Sequence, residues 1–223
     1  MSKSIGKDIV AQVLAQPNAQ SLVKEITNIL EAEKKRREQF YNEITDAEKV
    51  EFINGEIVIH SPVMKEHNDA NCLLVNLMGN YVRKHQLGYV GVEKVMITLE
   101  RNDYEPAICF FGNKKAKGFK EGQSLFPAPD FVVEILSKGT KKNDRTIKFK
   151  DYAANGVGEY LMIDPIKKVV ELYRLNKAKN YELILKSDTG ILKSKVIAGF
   201  AIDIEAIFDD AKNLAELRSI LAA

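Results

Sequence analysis

FPAPDFVVEILS, residues 126–137, is the stretch on which the rest of the chain turns. From Phe131 onward it is apolar on both parities, the pattern of a strand buried on both faces. One carboxylate, Glu134, interrupts it. A lone ionised carboxylate is costly to bury unless it is paired or binds a cation. The residues leave two readings open: an ion pair with a nearby lysine, or a metal ligand.

Downstream, SKGTKKNDRTIKFKDYAANG leads into a helix closed by Gly156. Asp144, Lys148 and Tyr152 recur every four residues and so share one helix face. That face is either a solvated ion pair beside an aromatic ring, or it sets Lys148 against the end of the Glu134 strand, where a lysine can contact a reacting phosphate.

Upstream, NDYEPAICFF, residues 102–111, raises a question. Its strand-forming run follows Glu105 and Pro106 but begins with Ala107, a poor strand former with little to pack. Earlier still, KVEFINGEIVIHSP flanks Asn54–Gly55 with two alternating runs, the signature of a hairpin with a type I′ turn. Residues 65–86 read as a helix with Leu73, Leu74, Leu77, Met78, Tyr81 and Val82 as its buried stripe. Strands are expected at about 89–99 and 106–111, then at DFVVEIL, GEYLMID, VVELYRL, YELILK and LKSKVI. IDIEAIFDDAKNLAELRSILAA reads mostly as a terminal helix. Residues 5–16 and 21–43 read as two further helices broken at Pro17–Asn18, the second with Leu22, Ile26, Ile29, Leu30 and Phe40 near a helical period. This order of elements predicts an α/β domain with a mixed sheet covered by helices, over residues 40–223, and a helical extension over residues 1–39.

Among the 223 residues, 33 Lys and Arg nearly balance 31 Asp and Glu. Residues 114–150, however, hold ten basic residues against four acidic ones, a local +6 that leaves about −4 for the remainder. Such a zone suits a phosphate-bearing partner, or it is an ordinary solvated surface. No apolar run approaches the ~18 residues of a membrane span, and the N-terminus lacks a signal-peptide core, so a cytoplasmic protein is expected. Cys72 and Cys109, far apart within apolar runs, read as buried reduced thiols. Three His and no CxxC speak against a structural zinc site.

These motifs, in this order, resemble the Uma-two restriction-endonuclease family, assigned to the PD-(D/E)XK nucleases. The resemblance runs from about Phe40 to the C-terminus. It is carried by KVEFINGEIVIHSP, by His67 at the start of the next helix, and by EKVMITLERNDYEPAICFF. FPAPDFVVEILS, DRTIKFKDYAANGVGEYLMIDP and VIAGFAIDIEAIF continue it. It implies a restriction-endonuclease-like mixed sheet flanked by helices and Mg²⁺- or Mn²⁺-dependent hydrolysis of DNA.

By the same resemblance, Glu134 is the second metal-binding carboxylate, the Ile135 carbonyl a further ligand, and Lys148 the catalytic lysine, displaced from position 136, where this chain has a leucine. Lys150 is its rival but lies off the Asp144–Tyr152 face. The first aspartate, expected directly after the proline of the EP dipeptide, falls at Ala107, so the resemblance implies an inactivated copy. Asp130 also follows a proline but lies four residues, roughly 13 Å, from Glu134 along one strand. Glu56 and His67 match recurrent positions: Glu56 reaches the metal through water or forms a hairpin salt bridge, and His67 caps its helix or faces the site. Ser137 binds phosphate or caps a turn. Family analogy adds a homodimer and leaves any regulatory partner unassigned. A non-catalytic nucleic-acid-binding or interaction module on the same fold is the competing expectation.

Overall fold

The computed structural model describes residues 2–45 and 47–222, with residues 2–6 described by their backbone alone. In chain order the elements are α1 (Ser2–Leu14), α2 (Ala19–Glu43), β1 (Val50–Ile53), β2 (Glu56–Ile59), α3 (Lys65–Lys84), β3 (Gly88–Val92), β4 (Met96–Thr98), β5 (Asp103–Tyr104) and β6 (Ile108–Gly112). There follow α4 (Asn113–Ala116), β7 (Leu125–Phe126), β8 (Phe131–Ile135), α5 (Lys141–Arg145), α6 (Ile147–Ala154), β9 (Glu159–Asp164), β10 (Val169–Leu175), β11 (Tyr181–Ser187), β12 (Ile191–Lys193), β13 (Ala201–Asp203) and α7 (Asp210–Ala222).

Two main sheets stand where one was expected. The larger has the order β11-β10-β9-β8-β6-β3, and the smaller β2-β1-β5-β4-β7. Both are mixed: β8 runs parallel to β9 and β4 parallel to β7, while the other pairings are antiparallel. The central strands of the larger sheet, β6, β8 and β9, are buried on both faces because they are apolar on both parities. Ile108, Phe110, Val133 and Ile135 pack under Leu74, Leu77 and Met78 of α3. Cys109, Phe111, Val132 and Tyr160 pack on the other face, against Ile97 and Tyr104 of the smaller sheet and Tyr152 of α6.

The Asn54–Gly55 turn is as expected, with both residues at positive φ (52° and 84°) joining β1 to β2. Four expectations need correction. The strand over 89–99 is broken, because Glu93 adopts φ 54° and donates its N–H to the Ala107 carbonyl at 2.9 Å. The helix carrying Asp144 and Lys148 is interrupted at Thr146 (φ −126°, ψ −75°). The strand expected at LKSKVI is cut short, β12 ending at Lys193, while the terminal stretch is mostly helix as expected, from Asp210. Cys72 is exposed; Cys109 is buried.

α2 runs through residue 39 without a break. Its C-terminal half is fixed to the smaller sheet. Phe40 packs on Phe52 with ring centroids 5.6 Å apart. Arg37 grips Asp103 with two 2.6 Å bonds and also donates to the Leu99, Glu100 and Asn102 carbonyls. Of the expected stripe, however, only Phe40 is buried, while Ile26, Ile29 and Leu30 are about half exposed.

Candidate active site

β6 and β8 place the two positions that the sequence singled out. Their antiparallel register pairs Phe110 with Phe131, Cys109 with Val132 and Ile108 with Val133. Ala107 lies at a bend one residue before β6 begins, and Glu134 lies in β8 one residue beyond the last of these pairs. Both line one cleft of about 750 Å³, together with Ile135 and His67. Its walls are the segment from Val58 through Met64 and the loop Ser137–Thr140.

Below Glu134 lies a buried charge cluster. The Lys148 ammonium, 1% exposed, sits 2.7 Å from Glu51 Oε1, 3.1 Å from Glu134 Oε1 and 3.3 Å from Asp144 Oδ1. Tyr152 donates its hydroxyl to Glu134 Oε1 at 3.2 Å. Although the helix breaks at Thr146, the Asp144–Lys148–Tyr152 face survives, and it is buried rather than solvated. Lys150 points to solvent.

Three carboxylates share one ammonium, and their environments separate them. Burial penalises Glu51, but Lys148 and His60 outweigh that penalty and hold it at about 2. For Glu134 burial wins: only partly offset by Lys148, and reinforced by Asp144 and Glu51, it pushes the carboxyl up to about 8. Lys148 is driven the opposite way to what its burial alone would do, well above its ordinary value, by the surrounding acids.

Glu51 was missed in the sequence. It occupies a strand whose four residues are all buried, and the Glu105 backbone N–H donates to its Oε1 at 3.0 Å. Glu56 requires correction. Its side chain is 77% exposed, paired with Arg36 at 3.0 Å, and absent from the cleft lining. It is a hairpin salt bridge.

His67 does not cap α3, whose cap position is Met64. Instead it faces the cleft, with its Nδ1 buried and without a hydrogen-bond partner, and burial lowers its pKa. Ser137 closes a turn, its Oγ accepting from the Thr140 N–H at 3.2 Å, and it lines the cleft. Asp130 has a structural role, accepting from the Gly112 N–H at 2.8 Å and pairing with Lys115 at 2.7 Å.

The basic zone does not act as one surface. Lys138 lines the cleft, but α4 and its lysines follow the far end of β6, about five strand residues from Ala107. Arg145 pairs with Glu171, and Lys148 is buried.

As it stands, the donor set does not fit a divalent ion. Mg²⁺ takes hard oxygen ligands. Ala107 offers a methyl group, and Glu134 Oε1 is already engaged by Lys148 and Tyr152. Among the described residues no group of three or more His, Cys, Asp or Glu side chains is placed to hold a metal.

Comparison with known proteins adds the following. Residues 37–205 match the Uma2 family model, described as "Putative restriction endonuclease". The fold is similar to a solved structure titled as a "putative nuclease belonging to DUF820" from Anabaena variabilis ATCC 29413. That chain is 18% identical, with a TM-score of 0.66, and the likeness covers 81% of this chain and 97% of that one. No curated protein matches. Among the described residues no helix is long and apolar enough to cross a membrane.

Proposed function

Since the chain belongs to the Uma2 family, described as "Putative restriction endonuclease", we propose that it is a DNA phosphodiesterase by descent, which retains its substrate cleft but is impaired in cleavage at Ala107. The observation that carries this reading is that Ala107, just before β6, and Glu134, in the neighbouring β8, line the same cleft. Carboxylates at both positions would face that cleft and supply hard oxygen ligands for one Mg²⁺ or Mn²⁺. With alanine in one of the two places, the pair supplies only half of such a site.

Charge supports the same reading. Fully ionised, Glu51, Glu134 and Asp144 against Lys148 leave a formal −2 beneath the cleft floor. That charge repels a phosphate unless a cation or a proton offsets it. Burial raises the Glu134 pKa, which favours the proton on this carboxyl when no cation is present. Lys148 and Tyr152 fix the carboxyl's orientation. Lys138 and the Ser137 and Thr140 hydroxyls, at the rim, are the groups suited to phosphate oxygens.

The test is cleavage of plasmid and linear duplex DNA by this chain and by its Ala107→Asp variant, each with and without Mg²⁺. Only the variant should cut, and only with the ion. Equal cutting by both chains would place the active site elsewhere. If neither cuts while both bind DNA, the non-catalytic binding module replaces this reading.

A further inference from the structure

The N-terminal half of α2 carries an apolar face that nothing among the described residues covers. At about 100° per residue, Val23, Ile26, Ile29 and Leu30 fall within a sector of about 120°. Each is 47–50% exposed. Glu33, Arg37 and Phe40 fall in that same sector, and these are the residues that fasten the helix to the smaller sheet: Glu33 to Arg101 at 2.6 Å, Arg37 to Asp103, and Phe40 to Phe52. One continuous helix face is therefore used twice. Its C-terminal half is docked, while its N-terminal half extends past the sheet with aliphatic side chains in solvent. α1 does not cover them, because its own Ile9, Val10 and Leu14 are 55–66% exposed.

We infer that this face is a self-association surface, on which α1 and α2 of one copy pack against those of a second copy of the chain. Area supports this occupant. A fully exposed aliphatic side chain presents about 120 Å². At roughly half exposure, the three residues of α1 and four of α2 present about 400 Å² per copy. An interface of ordinary size buries ~800 Å² per partner and is about 60% apolar, so it needs about 480 Å². The apolar residues of α1 and α2 together come close to that need when they meet their own equals, and an isologous pairing supplies that match by symmetry.

Charge separates this occupant from an anionic one. Between Lys24 and Lys35, α2 holds three basic residues (Lys24, Lys34, Lys35) and three acidic ones (Glu25, Glu31, Glu33). A net-neutral helix has no electrostatic attraction to a lipid headgroup surface or a nucleic acid. The stripe also lies outside residues 37–205, the part matched to the family, so the inference does not rest on the nuclease reading.

Sedimentation equilibrium of the full chain tests it, with helix content checked by circular dichroism. Ile26 lies near the middle of the stripe, so in an antiparallel pairing it approaches its symmetry mate. The unaltered chain should sediment at twice 25.1 kDa in the low micromolar range. Ile26→Lys and Ile26→Glu chains should each dissociate with a roughly 100-fold weaker constant, and a mixture of the two should recover the dimer. A chain that stays monomeric at ~100 µM overturns the inference. So do a dimer unmoved by either substitution and a mixture that fails to pair. Co-sedimentation of the monomeric chain with phosphatidylserine vesicles would replace self-association with membrane docking.

Discussion

Replacing Lys148 with methionine removes the ammonium that three carboxylates share while keeping most of the side-chain volume. Lys148 is 1% exposed, with Glu51, Glu134 and Asp144 within 2.7–3.3 Å. Removing one partner of a buried ion pair costs about 3–5 kcal/mol, because the remaining charge has neither water nor counter-ion. Here part of that cost is relieved by protonation. In the variant Glu134 loses the cation that favours its charged form, so its folded pKa, already raised, climbs further above the unfolded one. An acid raised in this way contributes stability that is present at low pH and lost as pH climbs through the folded value. Lys148→Met should therefore cost about 3–5 kcal/mol at pH 8 and clearly less at pH 5, at ~1.36 kcal/mol per unit of displacement. Urea unfolding followed by far-UV circular dichroism at pH 5, 6.5 and 8 reads the difference. Adding Glu134→Gln to the variant should recover part of the loss, since the two sites share one interaction. A cost below ~1 kcal/mol, or one that does not grow with pH, would refute the buried cluster as described.

Other substitutions separate the two glutamates of the hairpin and probe the helix clamp. Glu56→Gln should alter stability by no more than ~0.5 kcal/mol, as expected for an exposed ion pair, whereas Glu51→Gln should cost ~2–3 kcal/mol by leaving Lys148 under-compensated. Glu51 is held at about 2, so its contribution is complete above about 4.5 and lost as pH falls through 2; the Glu51→Gln cost should stay flat from pH 5 to 8 in the same unfolding series. Arg37→Ala leaves the buried Asp103 with its Tyr41 hydrogen bond at 2.8 Å but without its cation, so a loss of about 3 kcal/mol and faster proteolysis within α2 are expected.

Local chemistry made part of this legible in advance. Asn54–Gly55 announces its hairpin, because few other dipeptides tolerate two positive φ values. Glu134 stands out because its neighbours are apolar on both parities, and Lys148 because it repeats with Asp144 and Tyr152. Glu51 gave no such signal. VEFI alternates like a half-exposed strand, and only the second sheet stacked on the first turns Glu51 inward while Glu56 turns out. α2 misled for a related reason: periodicity reports that a face is apolar, not that anything in the same chain covers it. The breaks at Glu93 and Thr146 were hidden because neither site carries a glycine or proline. They are imposed by contacts between elements, such as the Glu93 N–H on the Ala107 carbonyl.

The placement of positions 107 and 134 on one cleft also has a practical use. Glu134 lies in β8 and Ala107 directly precedes the neighbouring strand β6, so both positions are anchored next to the sheet. Exchanging alanine and aspartate there changes one side chain and leaves both cleft walls as they are. The two chains would then form a matched set for capturing intact substrate: the alanine chain retains whatever its aspartate counterpart cuts, and cross-linking on the first maps the strand that the second cleaves.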